Sequence, residues 1–248
     1  MIRALPSGFC VALFAFALSA GAPLCAASAE SPVVVELYTS QGCSSCPPAD
    51  ALLTDLADES GVLALSFHVD YWDYIGWRDP FGSPMNTQRQ RGYAQTLRLD
   101  FVYTPQMVVD GRYDVVGSRV SAVRGAIEKA GKQGKPLTLE FVSGDGGKVV
   151  VPAGAAPAEG AAIWRVTYDK SHATEVLRGE NSGRELVNVN VVRAFERLGT
   201  WTGERLELPL MLAEAHARGR GGCAIIVQEG RQGPVLGAID LSLPMASD

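Results

Sequence analysis

Apolar positions in the first half of the chain change period in a definite order. Val33-Val34-Val35-Glu36-Leu37-Tyr38 is a β-branched run, the pattern of a strand covered on both faces in a mostly parallel sheet. It leads into Gln41-Gly42-Cys43-Ser44-Ser45-Cys46-Pro47-Pro48, after which Ala49, Leu52, Leu53, Leu56 and Ala57 recur at helical spacing and define one buried face. Val62–His68 is a second apolar run, so strand, helix and strand form a right-handed βαβ unit with parallel strands. Ser83 followed by Pro84 reads as N-cap and N1 of a polar helix ending near Leu97, with Arg89, Arg91 and Arg98 expected on its solvated face. Tyr103–Val109 contains a strand that Asp110-Gly111 turns into another, Arg112–Val116. Ser118 is placed to cap a last helix in which Val120, Val123, Ile127 and Ala130 share a face.

After a short linker, Gly131–Pro136, the pattern changes. Leu137–Val142, Lys148–Val151, Ile163–Tyr168, Leu186–Val192, Glu204–Leu210, Cys223–Gln228 and Val235–Leu241 read as strands separated by Gly, Pro, Asn and Asp turns. The expected architecture is α/β over residues 30–134, followed at 135–248 by a smaller antiparallel β domain, a sandwich or barrel.

The extreme N-terminus stands apart. Residues 1–29 carry Arg3 as their one charged side chain, then an apolar stretch Phe9–Ala20 and small residues ending Ala27-Ser28-Ala29, the layout of a cleaved secretory signal peptide. The apolar stretch is shorter than the ~20 residues of a spanning helix, so no membrane anchor is expected after cleavage. The mature chain is expected to be periplasmic or secreted. Cleavage takes the formal net charge from -5 to -6 and leaves Cys43, Cys46 and Cys223. An acidic chain without a Lys/Arg cluster does not fit nucleic acid or an anionic membrane surface as partner. An odd, small cysteine count excludes a dense disulfide framework.

Chemistry concentrates at Cys43-Ser44-Ser45-Cys46. A thiolate at a helix N-terminus is stabilised by unpaired N–H groups, and a second thiol two residues on closes a ring and expels whatever the first has attacked. The same spacing also serves half a zinc site, a soft-metal site such as Cu(I), or a structural disulfide. His68, His172, His216 and Cys223, the remaining soft candidates, are isolated in sequence. His68 and Asp70 close the second strand on one face, at the sheet edge where ligands gather in α/β folds. Tyr71, Trp72, Tyr74 and Trp77 form either a substrate groove or the small core of the irregular segment 69–101. Cys223, within an apolar run, is expected to be inertly buried.

Strand, C-x-x-C, helix and strand, with Thr104-Pro105 opening a hairpin before the last helix, resembles the thioredoxin fold over about residues 33–132. Tyr38–Asp50, with Cys43-Ser44-Ser45-Cys46-Pro47-Pro48 at its centre, together with His68-Val69-Asp70-Tyr71-Trp72-Asp73, resembles a bacterial secreted thioredoxin-like family catalogued as a domain of unknown function. The resemblance implies thiol–disulfide exchange, with Cys43 as the exposed attacking thiol and Cys46 as the resolving one. It also implies a cis Pro105 with Thr104 presenting a substrate's backbone, and a buried acid, Glu36, relaying the proton of Cys46. Such a protein needs no metal or organic cofactor, and its partner is a thiol- or disulfide-containing protein or small molecule. Ser44-Ser45 leaves the redox potential unread, Pro47-Pro48 disfavours helical geometry at Cys46, and the long segment 69–101 is expected to add a substrate-facing element. The alternative is a binding protein on a thioredoxin scaffold, with the cysteines as a stable disulfide or a soft-metal site.

Overall fold

The computed structural model describes Met1 and residues 30–143, 147–210 and 221–242, so the rest of the expected signal segment, with Cys10 and Cys25, lies outside the described residues. β1 (Val33–Thr39) and β2 (Val62–His68) run parallel in register Val33↔Val62 to Thr39↔His68, joined by α1 (Pro47–Ala57). After α2 (Pro84–Thr96), β3 (Gln106–Val109) pairs antiparallel with β1, and β4 (Tyr113–Val116) with β3. The β3–β4 turn holds Asp110 at φ 48° and Gly111 at φ 64°. Two successive left-handed residues are what a tight hairpin turn requires, and Asp-Gly tolerates them. The Ser83 hydroxyl accepts from the Met85 N–H, as expected for an N-cap. α3 (Val120–Gln133) starts one residue later than the sequence suggests, with Arg119 rather than Ser118 at the N-cap and no side-chain cap.

The second half continues the same sheet. β7 (Ala161–Val176) and β8 (Arg184–Trp201) form a long hairpin, flanked by β10 (Gly222–Glu229) and β11 (Val235–Ser242), and β8 meets β2 at Ser66↔Val191. The resulting order is β11-β10-β7-β8-β2-β1-β3-β4. The Asn190 side-chain amide donates to the Ala64 carbonyl at 2.9 Å, adding to the junction. β5 (Glu140–Val142), β6 (Lys148–Val151) and β9 (Leu206–Pro209) form a separate antiparallel sheet. Val149, Val151 and Leu208 of the small sheet pack on Ile163, Ile225 and Val227 of the large one, which makes a sandwich. The chain is thus a thioredoxin-like fold followed by a β-rich sandwich, with hydrogen bonding running across the boundary.

Parity along β1 decides what each face covers. Val33, Val35 and Leu37 point to α1 and α3, whereas Val34, Glu36 and Tyr38 point to the side carrying α2, Trp164 and Phe195. Glu36 therefore sits on the sheet face opposite α1, not beneath the cysteines. Its carboxylate accepts from Arg89 Nε at 2.6 Å and Nη2 at 2.7 Å, from Tyr38 at 2.9 Å and from Tyr93 at 2.6 Å. Every oxygen is engaged in holding α2, which leaves Glu36 no part in proton transfer at Cys46. Arg89 correspondingly is not on a solvated face. The α2 face made of Asn86, Thr87, Arg89, Gln90 and Tyr93 is buried, while Arg91 and Arg98 are exposed. Polar residues bury here because the sheet supplies Glu36 as partner, a pairing that helical periodicity cannot reveal.

Removing one member of a buried ion pair strands the other charge. Arg89→Met is expected to lower unfolding free energy by about 3–5 kcal/mol, with Glu36→Leu/Arg89→Met recovering most of the loss. Urea unfolding of the three proteins checks this, and a loss below ~1 kcal/mol in the single variant would show the pair to be energetically surface-like.

Candidate redox site

The cysteine loop is built at the carboxyl end of β1. Cys43 N–H bonds to the Ser40 carbonyl at 3.1 Å and Cys46 N–H to the Cys43 carbonyl at 3.2 Å, turning the chain so that the two cysteines form a disulfide with Cα atoms 5.4 Å apart. Cys46 is the N-cap of α1 at φ -78°, ψ -37°, helical despite the proline after it. The Ala49 and Asp50 N–H groups bond to its carbonyl at 2.8 and 3.1 Å, and these bonds with the disulfide hold it there. Pro47 and Pro48 fill N1 and N2, where a missing N–H costs no helical bond. They also remove two of the free donors that would otherwise face a thiolate. Gly42 is fitted to its surroundings, since a Cβ there would lie 3.2 Å from Trp72 Cβ and 3.3 Å from Ile75 Cδ1.

Three segments converge on this loop. The Thr104 hydroxyl donates to Cys43 Sγ at 3.3 Å and accepts from Trp72 Nε1 at 2.8 Å. The Thr104–Pro105 bond is cis. Trp77 Nε1 donates to the Gln41 side chain at 3.2 Å, so two aromatics of the long segment serve the loop, whereas Tyr74 is 82% exposed. From the far side, the tip of the β7–β8 hairpin reaches in. Asn181 Nδ2 donates to the carbonyls of Gln41 and Cys43 at 3.0 and 2.9 Å, and Glu180 accepts from the Ser44 N–H at 3.0 Å. Cys43 is consequently 0% exposed, which corrects the expectation of an exposed thiol; Ser44 and Ser45 carry the surface.

A buried line of ionisable groups lies on the α1 side. His68 Nδ1 is 2.7 Å from Asp79 Oδ2, and Asp79 also accepts from the N–H groups of Gln41 at 2.8 Å and Phe81 at 2.9 Å. Burial alone would raise the Asp79 carboxyl, but His68 and these donors outweigh it and hold it below its ordinary value. His68 is therefore a partner of Asp79 rather than a surface ligand, though its Nε2 is buried without a partner. Asp50, one helical turn beyond Cys46, is 7% exposed, and its carboxyl faces the Thr39 hydroxyl and His68. Burial pushes its carboxyl up to about 6, with His68 opposing the shift. Asp70 binds the Thr87 hydroxyl and tethers α2 to the end of β2, away from the sulfurs.

Of the residues singled out in the sequence, Cys43, Cys46, Thr104, Pro105 and Trp72 assemble at one place, with His68 behind them. Glu36 and Asp70 do not join. The sequence reading passes over Asp50, Asp79, Gln41 and Asn181. Only Asp50 carries a local signal, its i+4 spacing from Cys46. Asn181, 138 residues from Cys43, carries none. Cys223 is buried and its thiol is pushed up to about 11 by burial, as suits an inert cysteine. Among the described residues, no group of three or more His, Cys, Asp or Glu could hold a metal ion.

Comparison with known proteins agrees with the thioredoxin-like fold. The chain matches, over residues 34–228, the family described as "Protein of unknown function (DUF1223)". A "Probable Thioredoxin" from Archaeoglobus fulgidus is 27% identical over 85 residues, 34% of this chain and 74% of that protein. The crystal structure of protein AGR_C_4864 from Agrobacterium tumefaciens superposes with a TM-score of 0.75 at 30% identity, covering 88% of this chain and 98% of that one. HBP35 of Porphyromonas gingivalis shares the fold at 14% identity, with a TM-score of 0.59 over 88% of this chain and 78% of that one. A family match over most of its length, joined to a 30%-identical relative spanned almost end to end, shows that this thioredoxin-like chain belongs to the DUF1223 family.

Proposed function

We propose that the chain is an exported thiol–disulfide oxidoreductase working through Cys43 and Cys46. The observation that carries this reading is the contact of Thr104 with Cys43 Sγ, which sets the Thr104-Pro105 segment across the sulfur pair from a distance of 61 residues in sequence. In the reducing half-reaction a substrate thiolate attacks Cys43 Sγ, the Cys43–Cys46 bond breaks, and Cys46 leaves as a thiolate. A second substrate thiolate then attacks the substrate sulfur of the mixed disulfide and releases Cys43, so two electrons pass from substrate dithiol to protein disulfide. We assign the exchange of the Cys46 proton to Asp50, buried one helical turn further along α1. The substrate is a thiol- or disulfide-bearing protein or small molecule whose backbone lies along Thr104, with Trp72 beside it. The apolar Phe9–Ala20 and Ala27-Ser28-Ala29 support export to a compartment where such pairs cycle.

One observation favours a second reading. Cys43 is fully covered while oxidised, as expected for a structural disulfide in a binding protein on a thioredoxin scaffold. Equilibration against glutathione, read by thiol trapping with metal content determined on the same sample, separates the two. A potential of about -120 to -270 mV, with Cys43→Ser inactive, fits the oxidoreductase; one below about -300 mV fits the structural disulfide.

Asp50 gives a pH prediction with a definite sign. Its folded carboxyl titrates at about 6, above the ordinary 3.8, so ionisation opposes folding progressively from pH 3.8 upward and fully above pH 6. Asp50→Asn is expected to stabilise the protein by about 1–3 kcal/mol at pH 8 and by almost nothing at pH 3.5, measured by urea unfolding. His68 and Asp79 face the same carboxyl. The rate at which Cys46 resolves a mixed disulfide should rise with pH through about 6, as the carboxylate forms. In Asp50→Asn that limb disappears and the rate falls about tenfold. An unchanged limb would assign the proton to another group.

A further inference from the structure

The turn that joins β7 to β8, residues 177–183, is fitted against the cysteine loop. The Gly183 N–H bonds to the Val176 carbonyl at 2.8 Å and the Ser182 N–H to the Gly179 carbonyl at 3.2 Å, which closes the turn on itself. Gly179, at φ 77°, lies so near the segment after β2 that a Cβ there would meet Trp77 Cβ at 3.1 Å. Asn181 is fully buried, its Nδ2 on the Gln41 and Cys43 carbonyls and its Oδ1 accepting from Arg184 Nη1 at 3.3 Å. Anchored in this way, the turn brings the Glu180 carboxylate to the N–H of Ser44, the residue after Cys43, at 3.0 Å. The Ser44 hydroxyl and that N–H hold the Glu180 carboxyl below its ordinary value, so it is ionised throughout the neutral range.

Resting on the oxidoreductase reading, we propose that Glu180 is a positioning residue that sets the redox poise of Cys43–Cys46, favouring the disulfide by occupying the Ser44 N–H and opposing a Cys43 thiolate. Two hydroxyls reach the sulfur itself, Thr104 as donor at 3.3 Å and Ser45 at 3.3 Å, and hydrogen bonds of that kind favour a thiolate. Glu180 works against them through the neighbouring amide. While the pair is oxidised, no charge sits on sulfur and the Ser44 N–H serves the carboxylate. Once the S–S bond breaks and Cys43 carries a negative charge, a second anion stands one residue away and holds a donor that the sulfur could have used. Stabilising the thiolate makes a dithiol pair a stronger oxidant, so opposing it makes this pair more reducing. By reciprocity, reduction loosens the hold of the turn on the loop. The other charged groups around the loop are Asp50 of α1, His68 of β2, Asp79 of the following segment, and Arg178 and Arg184 of the hairpin. A unit of residues 33–132 alone lacks the hairpin, so this control belongs to the β-rich half.

The test equilibrates the full mature chain with reduced and oxidised glutathione, two glutathione thiols giving one glutathione disulfide for each protein disulfide reduced. Thiol trapping reads the dithiol-to-disulfide ratio at pH 8 for the wild type, Glu180→Ala, Glu180→Gln and Glu175→Gln, the last an exposed acid elsewhere on β7. Glu180→Ala removes charge and acceptor together and is expected to raise the ratio about fivefold, a potential higher by about 20 mV. Glu180→Gln keeps an acceptor for Ser44 and is expected to raise it about twofold, while Glu175→Gln leaves it unchanged. The shift should shrink at pH 5, where the Cys43 sulfur is protonated, whereas a contact that only held the loop in shape would act alike at both pH values. An unchanged ratio in Glu180→Ala, a shift of equal size at both pH values, or an equal shift in Glu175→Gln would overturn the proposal and leave the oxidoreductase reading standing. A wild-type pair below about -300 mV would remove the oxidoreductase reading instead, and the same series against dithiothreitol would still read the effect of Glu180.

Discussion

A single guanidinium holds the two halves of this molecule to one geometry. Arg89 reaches from α2 into the sheet, binds Glu36 of β1 through two nitrogens, and lies with its carbon 3.9 Å from the ring centre of Phe195 on β8. Trp164 of β7 and Phe67 of β2 are each 5.7 Å away, and Gln228 of β10 accepts from Nη2 at 3.3 Å. Nη1 has no hydrogen-bond partner, and aromatic faces provide its surroundings. A charge taken so far from water is tolerated only with its counter-charge and acceptors in place. α2 and five strands must therefore be correctly docked before the charge is accommodated, which suits a role in specifying one arrangement of the sheet.

That arrangement matters for the cysteines because it aims the β7–β8 arm. With β8 registered on β2, the hairpin projects past the end of the sheet and its tip arrives at the cysteine loop. Asn181 binds the loop's carbonyls there, and Glu180 binds an N–H group of the same loop. Gln41 is the meeting point, bonded through its backbone to Asp79 and Asn181 and through its side chain to Trp77 and Asn188. The disulfide is thus framed by residues from both halves of the chain, while the two cysteines and α1 alone would leave one side open.

Local pattern carried much of the fold. The β-branched run of β1, the helical spacing of Leu52, Leu53 and Leu56, the Ser83-Pro84 cap and the Asp110-Gly111 turn each have a cause within a few residues, and each element forms where expected. The lengths of β7 and β8 were hidden because the inward positions of Ser171–Glu175 are the half-buried, polar His172 and Thr174, and Leu186 is the one buried residue of Arg184–Val187; so little apolar alternation does not mark a strand, and their mutual ladder holds them extended. At the site, Cys43, Cys46, Thr104 and Pro105 were legible from motif and order. Glu36 misled because an acid in an apolar strand announces burial without announcing which side of the sheet it serves. Asp79 and Asn181 act through contacts that no spacing rule encodes.

Ser31, just before β1, exchanges hydrogen bonds with Ala238 of β11, 207 residues later, and the Asp110 carbonyl accepts from the Val235 N–H. The segment just before β1 is closed by β11, so the sheet has a high contact order and its assembly waits for residues 207 positions further along. Nascent chain emerging residue by residue can make α1 and the β3–β4 hairpin, yet the seam at β11 stays open until Val235–Ser242 have been made. Until then the edge of β10 is unpaired, and the partly made protein must be kept from pairing it with a neighbour.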